Sequence, residues 1–453
     1  LREKAHGILL QFGGQTAINL ALPLAGRLPH LEGMGLNLAM QGTTPDAVDE
    51  ASDRERFEEF AKRVGLRMPN GRTASTPEEV REAVQEIGYP VLIRPSYVLG
   101  GRGMEILSNN RQLDAYMEEA YLSPERPLLV DEYLGNAMEL DVDAVCDGTE
   151  VLIGAIMEHL EEAGIHSGDS TCFIPPQNIS KKILAQVEDW TKKIGIQLGI
   201  KGCFNIQYAI RGETLYVLEV NPRGSRTFPF VAKATGVPLA RIAARLTLGE
   251  KIADLDFPEP QSEAVCVKAP VFPFIKLRGL DPAPGPEMKS TGEVMGSHKR
   301  AAAAYLKARL ATELPVPIEG GVYITVKNAD KHDVIPLAQE LEEMGFTIYA
   351  TRGTAHVLRD SGGIDVQTCY RITEGLTPDA LDLMRQGKIH LIINTPRNTG
   401  GAVLDGNMMR RLAVELNIPF VTTMAGASME VQAIAEAKEG IPEPRLLDIA
   451  ILN

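Results

Sequence analysis

Apolar residues recur along this chain in two rhythms. Short near-continuous runs read as strands, longer stretches at helical spacing read as helices, and their alternation predicts an α/β fold. Gly7-Ile-Leu-Leu-Gln-Phe-Gly-Gly-Gln-Thr16 reads as a buried strand entering a glycine turn, followed by a helix over 17–26. One such unit cannot cover both faces of a parallel strand, so this start is expected to be a fragment of a larger sheet. Helices are expected from Thr44-Pro45-Asp46 to about Asp53, from Arg54 to about Val64, and from the Ser75-Thr-Pro-Glu-Glu79 cap to Gly88. Strands are expected over 89–94, 105–107, 128–133 and 139–146, with 151–158 paired to the last across Asp147-Gly148. A helix over 180–198 precedes a hairpin of 202–210 and 214–220 around Arg211-Gly212, and a helix over 237–248 follows.

Prolines crowd residues 257–286, which reads as a connecting region with extended pieces such as 264–268. A helix over 299–310 and the linker Pro315-Val-Pro317 come next. Past Gly320 the rhythm becomes strand then helix, with strands at 322–326, 346–350, 391–393 and 420–421 and an amphipathic helix over 333–344. That is the signature of a small, separate doubly wound parallel domain.

The length of 453 residues implies two to four domains. A formal net charge of −14 argues against general nucleic-acid or anionic-membrane binding. No apolar run approaches the length of a membrane span. The five cysteines (Cys146, Cys172, Cys203, Cys266, Cys369) form no C-x-x-C pair, which fits reduced thiols in the cytoplasm better than a disulfide framework or zinc site.

The chemistry concentrates on Glu219-Val-Asn-Pro-Arg223 and Gln207 across the predicted hairpin. Glu219 and Asn221, two apart, share a strand face. With Gln207 they offer three hard oxygen ligands, which suit Mg²⁺ held jointly with nucleotide phosphates. Arg223 supplies a cationic fork for a transferring phosphoryl group. No Walker-A motif occurs, so the glycine loop over 95–103 is the candidate phosphate cover, with Arg94 beside the α or β phosphate. The strand end Asp131-Glu132-Tyr133-Leu134 offers backbone groups to an adenine edge, and a carboxylate such as Glu139 suits ribose hydroxyls. The loop Gly164-Ile-His-Ser-Gly-Asp-Ser170 is a candidate nucleotide contact. In the last domain Thr325, Lys331, Thr351, Thr354, Arg371, Asn394 and Thr395 fall at or after strand ends, where a phosphorylated ligand binds in such sheets.

Q-F-G-G-Q-T at 11–16, R-P-S-Y-V-L-G-G-R at 94–102, D-V-D-A-V-C-D-G at 141–148, M-E-H-L-E-E-A-G-I-H-S-G-D-S at 157–170, E-V-N-P-R at 219–223, P-F-V-A-K-A-T-G-V-P at 229–238 and G-P-E-M-K-S-T-G-E-V-M-G at 285–296 occur in this order. Together they resemble the carboxy-terminal half of the large chain of the carbamoyl phosphate synthetase family. The resemblance implies an α+β ATP-grasp domain followed by a small doubly wound α/β regulatory domain of the methylglyoxal-synthase type. The boundaries expected are 1–45 for a remnant of the domain before the ATP-grasp, 46–252 for the ATP-grasp domain, 253–316 for the connecting region and 317–453 for the regulatory domain.

On that resemblance the chain is an ATP-grasp ligase that phosphorylates carbamate to carbamoyl phosphate for arginine and pyrimidine biosynthesis. Arg54, Arg94, Glu132, Leu134, Glu139, Gly164, Ile165, His166 and Ser167 then line the nucleotide site. Gln207, Glu219 and Asn221 hold two Mg²⁺ or Mn²⁺ ions, Arg223 faces the reacting phosphate, and K⁺ lies near. The last domain binds a nucleotide monophosphate. The missing amino-terminal synthetase half and the small glutaminase subunit are the expected partners, and this chain alone supports only the carbamate kinase-like partial reaction. Another ATP-grasp carboxylate–amine ligase, or a non-catalytic nucleotide-binding regulatory fragment, are the competing readings.

Overall fold

The computed structural model describes residues 6–33, 38–95, 103–119, 127–258, 264–274, 281–396 and 401–440. Most of the expected glycine loop, residues 96–102, lies outside them. The described residues divide into two compact units, one within 6–167 and 173–258, the other within 168–172 and 264–440. Among the described residues no helix is long and apolar enough to cross a membrane. All five cysteines are buried and free.

In the first unit, β1 (Gly7–Leu9) pairs in parallel with β2 (Ala39–Gln41). The strand expected to be buried is not: Leu9 and nearby Phe12 are each more than 40% exposed, at 43% and 44%. A two-stranded ribbon has too little width to cover its own faces. The helix expected over 17–26 is instead two short ones, Gly14–Ile18 and Ala21–Ala25. Pro23 has no N–H to donate to Asn19, so the ladder breaks there. Helices Pro45–Ser52 and Arg54–Val64 are separated by extended Asp53, whose carboxylate accepts Arg56 N–H at 2.9 Å and caps the second.

Strands β3 (Gly71–Ala74), β4 (Val91–Pro95), β5 (Glu105–Leu107) and β6 (Leu128–Glu132) form an antiparallel sheet in the order β3-β6-β4-β5. Helix Pro77–Ile87 lays Val80, Ala83 and Val84 onto Val91, Ile93, Leu107 and Val130.

The larger sheet carries β7 (Met138–Asp147) and β8 (Val151–Glu162); β9 (Cys172–Ile174) follows, then β10 (Lys201–Arg211) and β11 (Thr214–Asn221). Within this unit the antiparallel order is β11-β10-β7-β8. Strand alternation sorts its residues. Leu140, Val142, Ala144 and Cys146 join Phe204, Ile206 and Tyr208 in a core against Phe57 and Phe60 of one helix and Ile183, Val187, Trp190 and Ile194 of helix Lys181–Gln197. The intervening positions of β7, Glu139, Asp141 and Asp143, therefore line the opposite face, and all three are buried.

In the second unit, β12 (Val265–Val271) pairs with β13 (Gly292–His298), a strand the hydrophobic pattern did not mark. Helix Ala301–Ala311 belongs to the same unit. Strands β14 (Gly321–Thr325), β15 (Thr347–Thr351), β16 (Val366–Cys369), β17 (Leu391–Asn394) and β18 (Phe420–Val421) form a parallel sheet in the order β16-β15-β14-β17-β18. One face buries Val322, Ile324, Ile348, Ala350 and Ile393, the other Tyr323, Cys369 and Ile392. The strand order reverses beside β14, the place where such sheets open a crevice beyond their carboxyl ends.

Candidate functional site

Two antiparallel registers assemble a row across three strands. Gln207 stands opposite Asp141 on one side and Glu219 on the other, while Asn205 stands opposite Asp143 and Asn221. Directly opposed residues project to the same face, so β7, β10 and β11 present these side chains together. The β10–β11 register slips by one residue at Gln207/Tyr208, with Leu218 as the extra residue. Below the slip Leu215 and Val217 enter the core; above it Val220 does, and Glu219 and Asn221 point the other way. A β-bulge thus moves Glu219 and Asn221 out of the apolar face.

Gln207, Glu219, Asn221 and Arg223 are all half-buried. Asn221 donates Nδ2–H to Glu219 Oε1 at 2.8 Å, and Arg223 Nη2 donates to Asn221 Oδ1 at 3.1 Å. Arg223 Nε donates to Gln15 Oε1 at 2.9 Å, and burial depresses its pKa despite the nearby Glu219 and Asp143 carboxylates. The sequence reading did not assign Gln15 to the site.

The reading assigned Glu139 to the nucleotide but missed Asp141 and His159, which join it in a buried cluster on the same face. His159 Nε2 lies 3.3 Å from Asp141 Oδ2 and its Nδ1 lies 3.7 Å from Glu139 Oε1. Ligand atoms of Glu139, Asp141 and His159 lie within 4.8 Å of one another, a spacing compatible with a cation. Burial pushes the Glu139 carboxyl up to about 8; His159 opposes the shift, and Asp141 and Glu219 add to it. Gly164 donates its backbone N–H to Glu139 Oε2 at 3.3 Å with φ at +99°, a conformation that glycine adopts without strain. Ile165, His166 and Ser167 follow it, half-buried.

Next to these groups Leu134, Ala137, Ala163 and Ala209 form a small apolar cluster, packed against Tyr216 and Leu218. Arg54 and Arg94 gather separately, on Asp131: Arg54 Nη2 lies 2.9 Å from Oδ1 and Arg94 Nε 3.6 Å from Oδ2. Gly71 lies under this pair, where an added Cβ would sit 2.0 Å from Asp131 Oδ1. Glu132 is tied to Arg211 Nη1 at 2.8 Å and accepts Asn70 Nδ2 at 3.0 Å.

In the second unit a cavity of about 270 Å³ opens at the carboxyl ends of β14, β15, β16 and β17. Thr325, Lys331, Thr351, Thr354, Arg371, Asn394 and Thr395 all line it. The N-terminus of helix Arg352–Gly362 opens onto it at Gly353 and Thr354, bringing backbone N–H groups and a positive dipole end. Arg371 Nε is held by Asp405 Oδ2 at 3.1 Å, and Arg352 Nη2 by Glu374 Oε2 at 2.9 Å. Asn394 donates Nδ2–H to Thr325 O at 3.1 Å and accepts Arg410 Nη1 at 2.6 Å. Arg410, buried, spans to Asp281 with Nε on Oδ1 at 2.9 Å and Nη2 on Oδ2 at 2.6 Å.

A family model described as "Carbamoyl-phosphate synthase L chain, ATP binding domain" matches residues 53–255, and one described as "MGS-like domain" matches 333–422. The chain is 49% identical to the "Carbamoyl phosphate synthase large chain, C-terminal section" of Methanocaldococcus jannaschii, over 97% of this chain and 72% of that one. It is 47% identical to the carbamoyl phosphate synthase large chain of Methanoculleus marisnigri over 96% of its own residues, but spans 41% of that relative's length. Among solved structures, N5-carboxyaminoimidazole ribonucleotide synthetase from Thermus thermophilus is 18% identical with a TM-score of 0.51, covering 68% of this chain and 81% of that one. That likeness is one of fold, the ATP-grasp fold.

Proposed function

Because the chain belongs to the carbamoyl phosphate synthase large-chain family and carries its ATP-binding and MGS-like domains, we propose that it phosphorylates carbamate with MgATP to give carbamoyl phosphate. The observation that carries this reading is the cross-strand set of Gln207, Glu219 and Asn221, with Arg223 bonded to Asn221. Its donors are two side-chain amides and a carboxylate, an oxygen set that fits Mg²⁺ or Mn²⁺ bound with phosphate oxygens. Gln207, Glu219 and Asn221 would hold two such ions, which when bound neutralise charge building on the transferring phosphoryl group. The buried Glu139–Asp141–His159 cluster would offer carboxylate oxygens to a nearby K⁺.

In this reading the apolar patch around Leu134 receives the adenine ring, with Glu132, Gly164, Ile165, His166 and Ser167 around it. Glu139 takes the ribose, and Arg54 and Arg94 take the phosphates. A carbamate oxygen forms its bond to the γ-phosphorus as the bond to the ADP oxygen breaks, and Arg223 meets the equatorial charge. Gln15 and Asn221 fix the guanidinium beforehand, so no reorganisation is needed when that charge appears. The second unit's cavity takes a nucleotide monophosphate, its phosphate at Lys331, Thr351 and Thr354. The four segments 1–45, 46–252, 253–316 and 317–453 divide the work accordingly. An amino-terminal synthetase half supplies carbamate, a small glutaminase subunit supplies ammonia, and the setting is the cytoplasm.

Mixing the protein with ADP, Mg²⁺ and carbamoyl phosphate tests this directly. ATP formation is expected, stimulated by K⁺. Tight ATP binding without any ATP formation would leave only a regulatory, non-catalytic role. For the effector cavity, Lys331→Ala should weaken nucleoside monophosphate binding by roughly tenfold or more, the worth of one charge-assisted hydrogen bond.

A further inference from the structure

Resting on that reading, we infer that Asp143 is a positioning residue that holds the Asn221–Thr227 turn, and through it Asn221 and Arg223, in working geometry. Asp143 is completely buried on β7. Its Oδ1 accepts Asn205 Nδ2 at 2.9 Å and Ser225 Oγ at 2.7 Å; its Oδ2 accepts Ser225 Oγ at 2.8 Å and Thr227 Oγ1 at 2.7 Å. The two hydroxyls lie 2.9 Å apart. Ser225 and Thr227 follow Arg223 by two and four positions, and Asn205 stands opposite Asn221. One carboxylate therefore grips the turn just past its functional residues and also the strand position facing Asn221.

The other side of the turn is gripped as well. Gly224 N donates to Gln11 O at 2.9 Å, Arg223 Nε to Gln15 Oε1 at 2.9 Å, and Gln11 Nε2 to Cys203 O at 3.2 Å. A turn clamped at both flanks has little freedom left to misplace Arg223. A buried carboxylate bonded to hydroxyls and an amide is a costly way to gain stability. It is an effective way to fix a geometry, because every acceptor site is directed.

The test uses Thr227→Val, which keeps shape and removes a hydroxyl, Thr227→Ser, which keeps the hydroxyl, and Asp143→Asn, each in the full chain. Misplacement of a group near the reacting phosphorus costs on the order of 100-fold in rate. Thr227→Val and Asp143→Asn should lower kcat for ATP formation from ADP and carbamoyl phosphate by about 10- to 100-fold. Their KM for ADP should change little, and Thr227→Ser should restore kcat. Mn²⁺ titration in the presence of ADP provides a readout free of turnover, and affinity should drop in Thr227→Val and Asp143→Asn because Asn221 is displaced. Wild-type kcat and Mn²⁺ affinity in both variants would overturn the inference, as would losses that simply track a lowered Tm. If Asp143→Asn does not fold, the Thr227 pair decides alone. If the wild type makes no ATP, the functional reading fails, and Mn²⁺ affinity still judges Asp143; a wild type that binds no Mn²⁺ either would sink both.

Discussion

Gln207 and Glu219 face each other across β10 and β11 only because Leu218 is bulged out between them and the rest of the hairpin. Without the extra residue Glu219 would share the parity of Leu215 and Val217 and enter the apolar core. A carboxylate there would be neutral or destabilising, and the oxygen set would be broken. One inserted residue thus separates a packing face from a chemical one.

Glu219→Gln keeps the shape of this pair and removes its charge. ATP formation from ADP and carbamoyl phosphate should fall at least about 100-fold, since a ligand carboxylate acts on charge in the transition state. The thermal midpoint should stay within a degree or two of wild type, because Glu219 is half-buried at a strand end. Activity near wild type in a coupled ATP assay would refute the ligand role.

Glu139 gives the nucleotide-binding unit a pH signature. Its folded pKa of about 8 lies above the ordinary 4.5. Between these values the folded chain keeps a proton that the unfolded chain has released. Its contribution to stability is therefore complete below about pH 4.5 and is lost as pH rises toward about 8. Glu139→Gln should flatten the decline of Tm across about pH 5 to 8, by roughly a few degrees in melts run without nucleotide. Parallel Tm–pH curves for the two proteins would show that Glu139 titrates normally.

Arg410 is buried and relies on Asp281 for its counter-charge. Asp281→Ala should destabilise the second unit by about 3 kcal/mol, the usual result of stranding a buried charge. Asn394, which accepts from the same guanidinium, should lose its alignment, so nucleoside monophosphate binding should weaken as well. Calorimetric melts and binding isotherms on the same sample measure both; an unchanged melting profile would mean that water replaces the carboxylate.

Much of the fold could be read from local pattern. The β7–β8 and β10–β11 hairpins followed from apolar alternation closed by Asp147-Gly148 and Arg211-Gly212. The seven residues at strand ends in the second unit converge on one cavity because a parallel doubly wound sheet places all carboxyl ends on one side. β13 escaped notice because Gly292-Glu-Val-Met-Gly-Ser-His298 alternates weakly and is rich in glycine, a poor strand former. β16, only four residues with polar Gln367 and Thr368 exposed, gives a pattern too short to stand out. Local pattern singles out none of Asp141, Asp143 and His159, because it does not show that both faces of β7 are buried or that His159 of β8 is buried beside them. Asp143 reaches Ser225 and Thr227 across 82 and 84 residues, a separation at which periodicity carries no information.

The concealed sulfhydryls have a practical corollary. Burial raises the thiols of Cys146 and Cys369 to about 11 and that of Cys203 to about 12, so almost none is nucleophilic at neutral pH. An alkylating reagent can then react at Cys146 and Cys203 only when the surrounding strands open, whereas Cys369 lines the second unit's cavity. Cys146 and Cys203 become intrinsic clocks that time the breathing of the nucleotide-binding unit, and Cys369 reports on access to the cavity of the second unit.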